Sequence, residues 1–174
     1  MIVLETERLF LRELSLADAQ FILTLLNEPS FLRYIGDKKV RDIHGAESYL
    51  LNGPIASYKQ HGFGLYAVEL KESGTPIGIC GLLKRQELPE VDIGFAFLPD
   101  FWNRGFAFEA AATVMKHAED TLKLKRIVAI TSLDNDASIK LLDRLEFKFE
   151  SVTKLSNNGE DVKLFARDLH VNHV

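Results

Sequence analysis

The chain has 174 residues, of which 47% are hydrophobic and 26% charged, a size and balance that suit one domain with a sizeable core. A formal net charge of -4 gives no basic field for nucleic acid or an anionic membrane, no apolar run is long enough to span a bilayer, and the mildly acidic balance suits a cationic amine as ligand. The one cysteine, Cys80 in Ile77-Gly78-Ile79-Cys80, excludes an internal disulfide framework and reads as a buried structural thiol in a reducing compartment.

Met1 to Arg12 is broken up by charges and lacks the order of a signal peptide, so a cytoplasmic location is expected, with folding from near the first residue. Arg8-Leu9-Phe10-Leu11-Arg12 reads as a first strand. Ser15-Leu16-Ala17-Asp18 resembles a capping box with Asp in place of Glu, and the helix it starts carries Phe21, Ile22, Leu25 and Leu26 as an apolar stripe. Asn27-Glu28-Pro29 stops it. A second helical stretch covers Gly45 to Lys59, interrupted at Gly53-Pro54. Phe63 to Leu70 and Pro76 to Leu83 are strands joined by the hairpin signal Lys71-Glu72-Ser73-Gly74-Thr75, and Glu90 to Leu98 is a third. The period then changes: Ala107, Ala110, Ala111, Val114, Met115, Ala118 and Leu122 share one helical face. Arg126 to Thr131 is a β-branched, buried strand and Asp136 to Leu145 a helix. Phe147 to Leu155 and Asp161 to Leu169 form a last hairpin around Ser156-Asn157-Asn158-Gly159.

The order β-α-α-β-β-β-α-β-α-β-β predicts an α+β fold: a mixed, mostly antiparallel sheet with one parallel pair made by the strand-helix-strand unit from Glu90 to Thr131. Residues 1–174 read as a single domain without repeat or linker. The terminal hairpin, Phe147 to Leu169, offers an edge that leaves monomer and homodimer both open. The five histidines have no ligand spacing, so no metal is expected.

The stretch from Asp92 through Asn103-Arg104-Gly105-Phe106-Ala107-Phe108-Glu109-Ala110 carries the chemistry. A strand runs into a tight turn and a helix starts at about Gly105, where open backbone N–H groups make an anion site and Arg104 can add a charged contact to a phosphate. Small residues there equally permit close helix-sheet packing. Neither a Walker A loop nor a three-glycine dinucleotide fingerprint is present.

This stretch resembles the acyl-CoA-binding motif of the GNAT acetyltransferases, Arg/Gln-x-x-Gly-x-Gly/Ala, with Gly105-Phe106-Ala107 as its second half and Trp102 where Arg or Gln usually stands. Phe101, Trp102, Gly105, Ala107, Glu109 and Ala110 are similar to the Tyr-Trp-Gly-x-Gly-Tyr-Ala-Thr-Glu-Ala string of the branch that acetylates ribosomal-protein N-termini; Asn103 replaces a Gly and Phe108 a Thr. The opening Glu7 to Arg12 with Asp18-Ala19, the Asn-x-x-Ser-x-x-Leu-Leu of Asn135, Ser138, Leu141 and Leu142, and Leu145-Glu146-Phe147 in place of Leu-Gly-Phe extend the resemblance over nearly the whole chain.

The resemblance implies a GNAT fold with a splayed central parallel pair and flanking helices. It implies acetyl-CoA as cosubstrate and a primary amine as acceptor: a protein N-terminus, or a polyamine, amino acid or antibiotic. A catalytically silent CoA-binding module is the alternative of another class. The pantetheine arm would lie against the backbone of Phe95, Phe97 and Leu98, the pyrophosphate on amides from Asn103 to Phe108, and Asn135 would bond the arm from the other side, besides capping its helix. Leu142 stands where many relatives carry an acid Tyr, which leaves Ser138, one turn earlier, as donor to the departing sulfur or simply as a helix hydroxyl. Asp92, Glu13 and His61 are the candidate bases, Asp92 first, each also readable as an ordinary surface group; Glu109 reads as a first-turn stabiliser. Some of Phe31, Tyr34, Tyr49, Tyr58, Phe63 and Tyr66 are expected in the acceptor pocket.

Overall fold

The computed structural model describes residues 1–170; His173, among the histidines judged to lack metal-ligand spacing, lies outside them. In chain order the elements are β1 (Ile2–Glu5), β2 (Leu9–Glu13), α1 (Ala19–Leu26), α2 (Pro29–Tyr34), α3 (Ile43–Leu50), α4 (Ala56–His61), β3 (Leu65–Leu70), β4 (Pro76–Leu83), β5 (Asp92–Phe97), α5 (Phe106–Asp120), β6 (Arg126–Ser132), α6 (Asp136–Arg144), β7 (Lys148–Lys154) and β8 (Asp161–Asp168). The strands form an 8-stranded sheet in the order β1-β2-β3-β4-β5-β6-β8-β7, antiparallel throughout except for β5 and β6. The expected mixed sheet with one parallel pair is therefore observed.

Local chemistry accounts for most boundaries. Ser15 makes a full capping box with Asp18, whose carboxylate also takes two bonds from Arg12 at 2.9 and 2.8 Å. Pro54 has no N–H to give, and the chain passes it through a π turn at Leu51–Ile55 that joins α3 to α4. Two elements were not anticipated. Asn27-Glu28-Pro29 does end α1, but Pro29 also opens α2, the first helical position being where a missing N–H does no harm. The edge strand β1 pairs Ile2, Leu4 and Glu5 with β2.

The sheet is covered on both faces. On one, α5 lays Ala110, Ala111, Val114, Met115 and Ala118 against Leu11, Val68, Ile77, Cys80, Ile93 and Phe97. On the other, α1 and α3 bury Ile22, Leu25, Ala46 and Leu50 against Leu65, Ala67 and Ile79. Cys80 is fully buried and burial pushes its thiol pKa up, as expected of a structural cysteine. Gly78 must lack a side chain, since a Cβ there would lie 2.5 Å from both the Ala96 carbonyl and the Phe97 ring.

The feature that positions the site is the way β5 and β6 part. Their pairing is confined to Asp92 opposite Val128, with the Val128 N–H on the Val91 carbonyl at 3.0 Å. The other flank of β5 stays paired to β4 from Asp92 to Phe97, and the Leu98 N–H reaches the Ile77 carbonyl at 2.9 Å. Backbone groups alternate sides along a strand. With Val91 facing β6 and Leu98 facing β4, the N–H and C=O of Phe95 and Phe97 face the opening gap.

Candidate active site

Two cavities share the walls of this gap. One, of about 420 Å³, lies between the start of α5, the start of α6 and α2. The other, of about 680 Å³, is bounded by β5, β6, the connection between α2 and α3, and the β7-β8 hairpin. Phe31, Tyr34, Phe95, Ala96, Asn135 and Ser138 line both.

The first cavity is built by the loop into α5. Asn103 and Gly105 both take left-handed backbone conformations, φ 59° and 80°. An Asn tolerates this better than most residues, so it can replace a Gly here. Gly105 precedes α5 without any side-chain cap, and the Glu109 N–H is the first to return to it, at 3.1 Å. The amides of Phe106, Ala107 and Phe108 therefore point outward at the positive end of a 15-residue helix, a ready seat for phosphate oxygens. Glu109 does more than favour the helix end. It accepts from the Thr6 hydroxyl at 2.6 Å, the Arg8 N–H at 3.1 Å and Arg8 Nε at 2.8 Å. Arg8 Nη1 in turn donates to the Arg104 carbonyl at 3.1 Å, so the β1-β2 turn braces the loop.

Several expectations change in detail. Arg104 does not line the cavity; its guanidinium lies over the rings of Phe101 and Phe106, 5.7 and 5.0 Å from their centroids. The cation on that wall is Arg144, over Phe108 at 4.2 Å, whose place on the last turn of α6 carried no signal of its own. Leu98 has no backbone group to offer, since its N–H goes to Ile77 and its carbonyl accepts from Phe101 at 3.0 Å. Phe97 keeps its N–H for the gap, but its carbonyl accepts from the Trp102 indole at 2.8 Å. This bond ties the loop to the end of β5.

On the facing wall Asn135 caps α6 by accepting the Ser138 N–H at 3.3 Å, which leaves its amide NH₂ and the Ser138 hydroxyl beside the gap. Leu142, one turn on, is buried in the core. Glu146 takes the left-handed stop of this helix at φ 68° although it is not a glycine.

Of the candidate bases, Asp92 lines the second cavity, whereas Glu13 and His61 line neither; His61 stacks on Phe63 instead. Asp92 is 0% exposed, and Arg85 Nε reaches its two oxygens at 3.1 and 3.2 Å. Burial pushes its pKa up to about 6, outweighing the pull of Arg85 in the other direction. Of the six aromatics named for the acceptor pocket, Phe31, Tyr34 and Tyr49 reach this cavity. Tyr58 and Tyr66 stack on each other in the core, with the Tyr58 hydroxyl between the Leu14 N–H and the Leu65 carbonyl. Among the described residues, the buried side-chain atoms without a partner are the hydroxyls of Thr131 and Ser132, both on the β6 wall. No group of His, Cys, Asp and Glu among the described residues is arranged to hold a metal ion.

Residues 8–148 match the family model of the acetyltransferase (GNAT) domain. The chain belongs to the GNAT acetyltransferase family. It is 30% identical over 153 residues to the N-acetyltransferase YoaA of Bacillus subtilis, covering 87% of this chain and 86% of that one. Among solved structures, an acetyltransferase from Agrobacterium tumefaciens superposes with a TM-score of 0.82 at 24% identity, covering 96% of this chain and 94% of the other. The ribosomal L7/L12 α-N-protein acetyltransferase RimL, solved in complex with coenzyme A, gives 0.84 at 18% identity over 99% and 100%. These neighbours share the fold, the splayed GNAT sheet described above. No helix among the described residues is long and apolar enough to cross a membrane.

Proposed function

We propose that this GNAT chain moves the acetyl group of acetyl-CoA onto a primary amine by direct attack on the thioester, with an α-amine such as a protein N-terminus as the acceptor. The observation that carries this reading is the gap between β5 and β6, which connects an uncapped helix start on one side with a buried carboxylate on the other. The pyrophosphate rests on the amides of the Asn103–Phe108 loop near Arg144. The pantetheine arm follows the open backbone of Phe95 and Phe97 and meets Asn135. The acceptor enters from the second cavity.

In the reaction the amine nitrogen bonds to the carbonyl carbon and the C–S bond breaks. A backbone N–H of the open β5 edge stabilises the developing oxyanion. The amine proton passes through water to Asp92, and the sulfur leaves as a thiolate that accepts a hydrogen bond from the Ser138 hydroxyl and takes its proton from solvent. A base with a pKa of about 6 is poorly matched to a lysine amine near 10.4 and better matched to an α-amine at about 7.7–8.0. RimL, whose name states that it acetylates an α-amine of a ribosomal protein, shares this fold and supports the same acceptor class.

The test is thiol release and mass spectrometry with acetyl-CoA against peptides with Ala, Ser or Met N-termini, polyamines and aminoglycosides, with the CoA-induced melting shift measured on the same protein. Acetylation at peptide α-amines is expected. Turnover confined to polyamines or aminoglycosides would replace the acceptor class. A melting shift with no turnover would leave a silent CoA-binding module.

A further inference from the structure

We infer that the acceptor carries a carboxylate close to its amine, and that Lys38 and Arg85 hold it in the second cavity. This names the acceptor chemistry of the site and rests on the transferase reading above.

The charges around the cavity fall into two groups. Those at the rim are matched or exposed. Asp37 is held by Arg41 at 2.6 Å, Arg33 pairs with Asp134 at 3.3 Å, Asp161 pairs with Lys154 at 2.8 Å, and Glu160 sits exposed on the β7-β8 hairpin. The second group is the exposed Lys38, the half-buried Arg85 and the buried Asp92. Arg85 gives only Nε to Asp92, and among the described residues its Nη1 and Nη2 meet no acceptor. Lys38 has no ion pair among the described residues, and desolvation, with the nearby Arg85 guanidinium, lowers its pKa. Tyr49 reaches the same cavity, close enough to Arg85 to feel its charge, and its hydroxyl has no bonding partner among the described residues.

Two cations thus face one carboxylate, with a phenol beside them. Lys38 and the Nη groups of Arg85 are donors without a partner among the described residues, while the acids of the lining other than Glu160 are already paired. Such a lining gives an anion charge-assisted bonds from free donors, and offers a polyamine or aminoglycoside no unpaired acid besides Glu160. A carboxylate fits this place and leaves its neighbouring amine to reach the gap, where the thioester lies. Two sources share that chemistry: a free amino acid, and a peptide N-terminus followed by an acidic side chain.

The experiment measures thiol release from acetyl-CoA with matched twins: alanine against alaninamide, and the peptide amide Ala-Asp-Gly against Ala-Asn-Gly. In at least one pair the acid is expected to exceed its neutral twin by about tenfold or more in kcat/KM, the size of one charge-assisted contact. Lys38→Met should bring that ratio to about one through the KM of the acid; Arg85→Gln should lower the ratio too, while its side-chain amide can keep a bond to Asp92. Preference in the first pair identifies a free amino acid, and preference in the second an acidic peptide. Equal rates within both pairs, or a ratio that survives Lys38→Met, overturns the proposal. Binding separates the two readings. If no twin is turned over, a melting shift of the CoA-loaded protein by N-acetylalanine, absent with N-acetylalaninamide and lost in Lys38→Met, upholds the anion site and rejects the transferase reading. No turnover and no such difference rejects both.

Discussion

Replacing Asp92 with Asn tests the buried carboxylate as both a stability element and a base. The side chain keeps its size and one oxygen for Arg85, which stays partly exposed and is not stranded. In the native protein burial raises the Asp92 pKa from 3.8 to about 6. A raised carboxyl pKa means that folding favours the neutral acid. The wild type therefore holds its full stability below about pH 4 and loses it as the pH rises through 6, by about 3 kcal/mol in all. Asp92→Asn has nothing to ionise. Its stability relative to wild type should rise by about 2 kcal/mol between pH 4.5 and 7.5, read from urea midpoints at the two values. If Asp92 also takes the amine proton, kcat/KM of the wild type has an acidic limb near pH 6 that is absent in the variant, while the CoA-induced melting shift persists. Parallel pH dependences of stability would show that Arg85 keeps the carboxylate ionised throughout and refute the electrostatic reasoning. A limb that survives the substitution would place the base elsewhere.

Ser138→Ala leaves the Asn135 cap intact, because Asn135 accepts the Ser138 main-chain N–H; kcat should fall about ten- to hundredfold with little change in KM for acetyl-CoA, and an unchanged kcat would remove Ser138 from the chemistry. Glu146→Gly relieves a left-handed side-chain-bearing residue at φ 68° and gives up only an exposed pair with Arg167 at 3.5 Å. It should stabilise the fold by about 1 kcal/mol in urea titration, and no gain would mean that this pair offsets the strain. Gly105→Ala strains a backbone at φ 80° and sets a Cβ 3.3 Å from Arg8 Nη2; a loss of about 1–2 kcal/mol and a smaller CoA-induced melting shift are expected, and an unaltered shift would detach this loop from phosphate binding.

Where a feature lies within one contiguous stretch, the sequence displayed it. The change from period two to the stripe of Ala107, Ala110, Ala111, Val114 and Ala118 located α5, and the turn before it marked the helix start that the first cavity uses. Features that depend on register were hidden. Leu98 looked equivalent to Phe95 and Phe97 as a wall of the gap, but strand alternation turns its N–H toward Ile77, and only the pairing of β4 with β5 reveals that parity. Arg104 looked like the phosphate ligand because it is adjacent in the chain, yet it lies over its own neighbours' rings while Arg144 arrives from the far end of α6. Pro29 carried two meanings at once, helix stop and helix start, and the sequence signal for each is the same residue.

The acceptor cavity was the least legible part because no segment contains it. Lys38 comes from the connection after α2, Tyr49 from α3, Arg85 from the connection between β4 and β5, and Asp92 from the first position of β5. Each alone reads as an ordinary surface or core residue. The whole-chain charge pointed the other way, since a net charge of -4 suits a cationic ligand. That excess is spread over a solvated surface, where a Debye length of about 8 Å screens it. Lys38 and Arg85 instead keep donors free in one cavity whose acids, Glu160 apart, are already paired, so the groups that meet an acceptor there are cationic although the protein is acidic. The parting of β5 and β6 thus has a second consequence: it opens backbone for the cosubstrate on one side and exposes, on the other, a set of charges that total composition could not foretell.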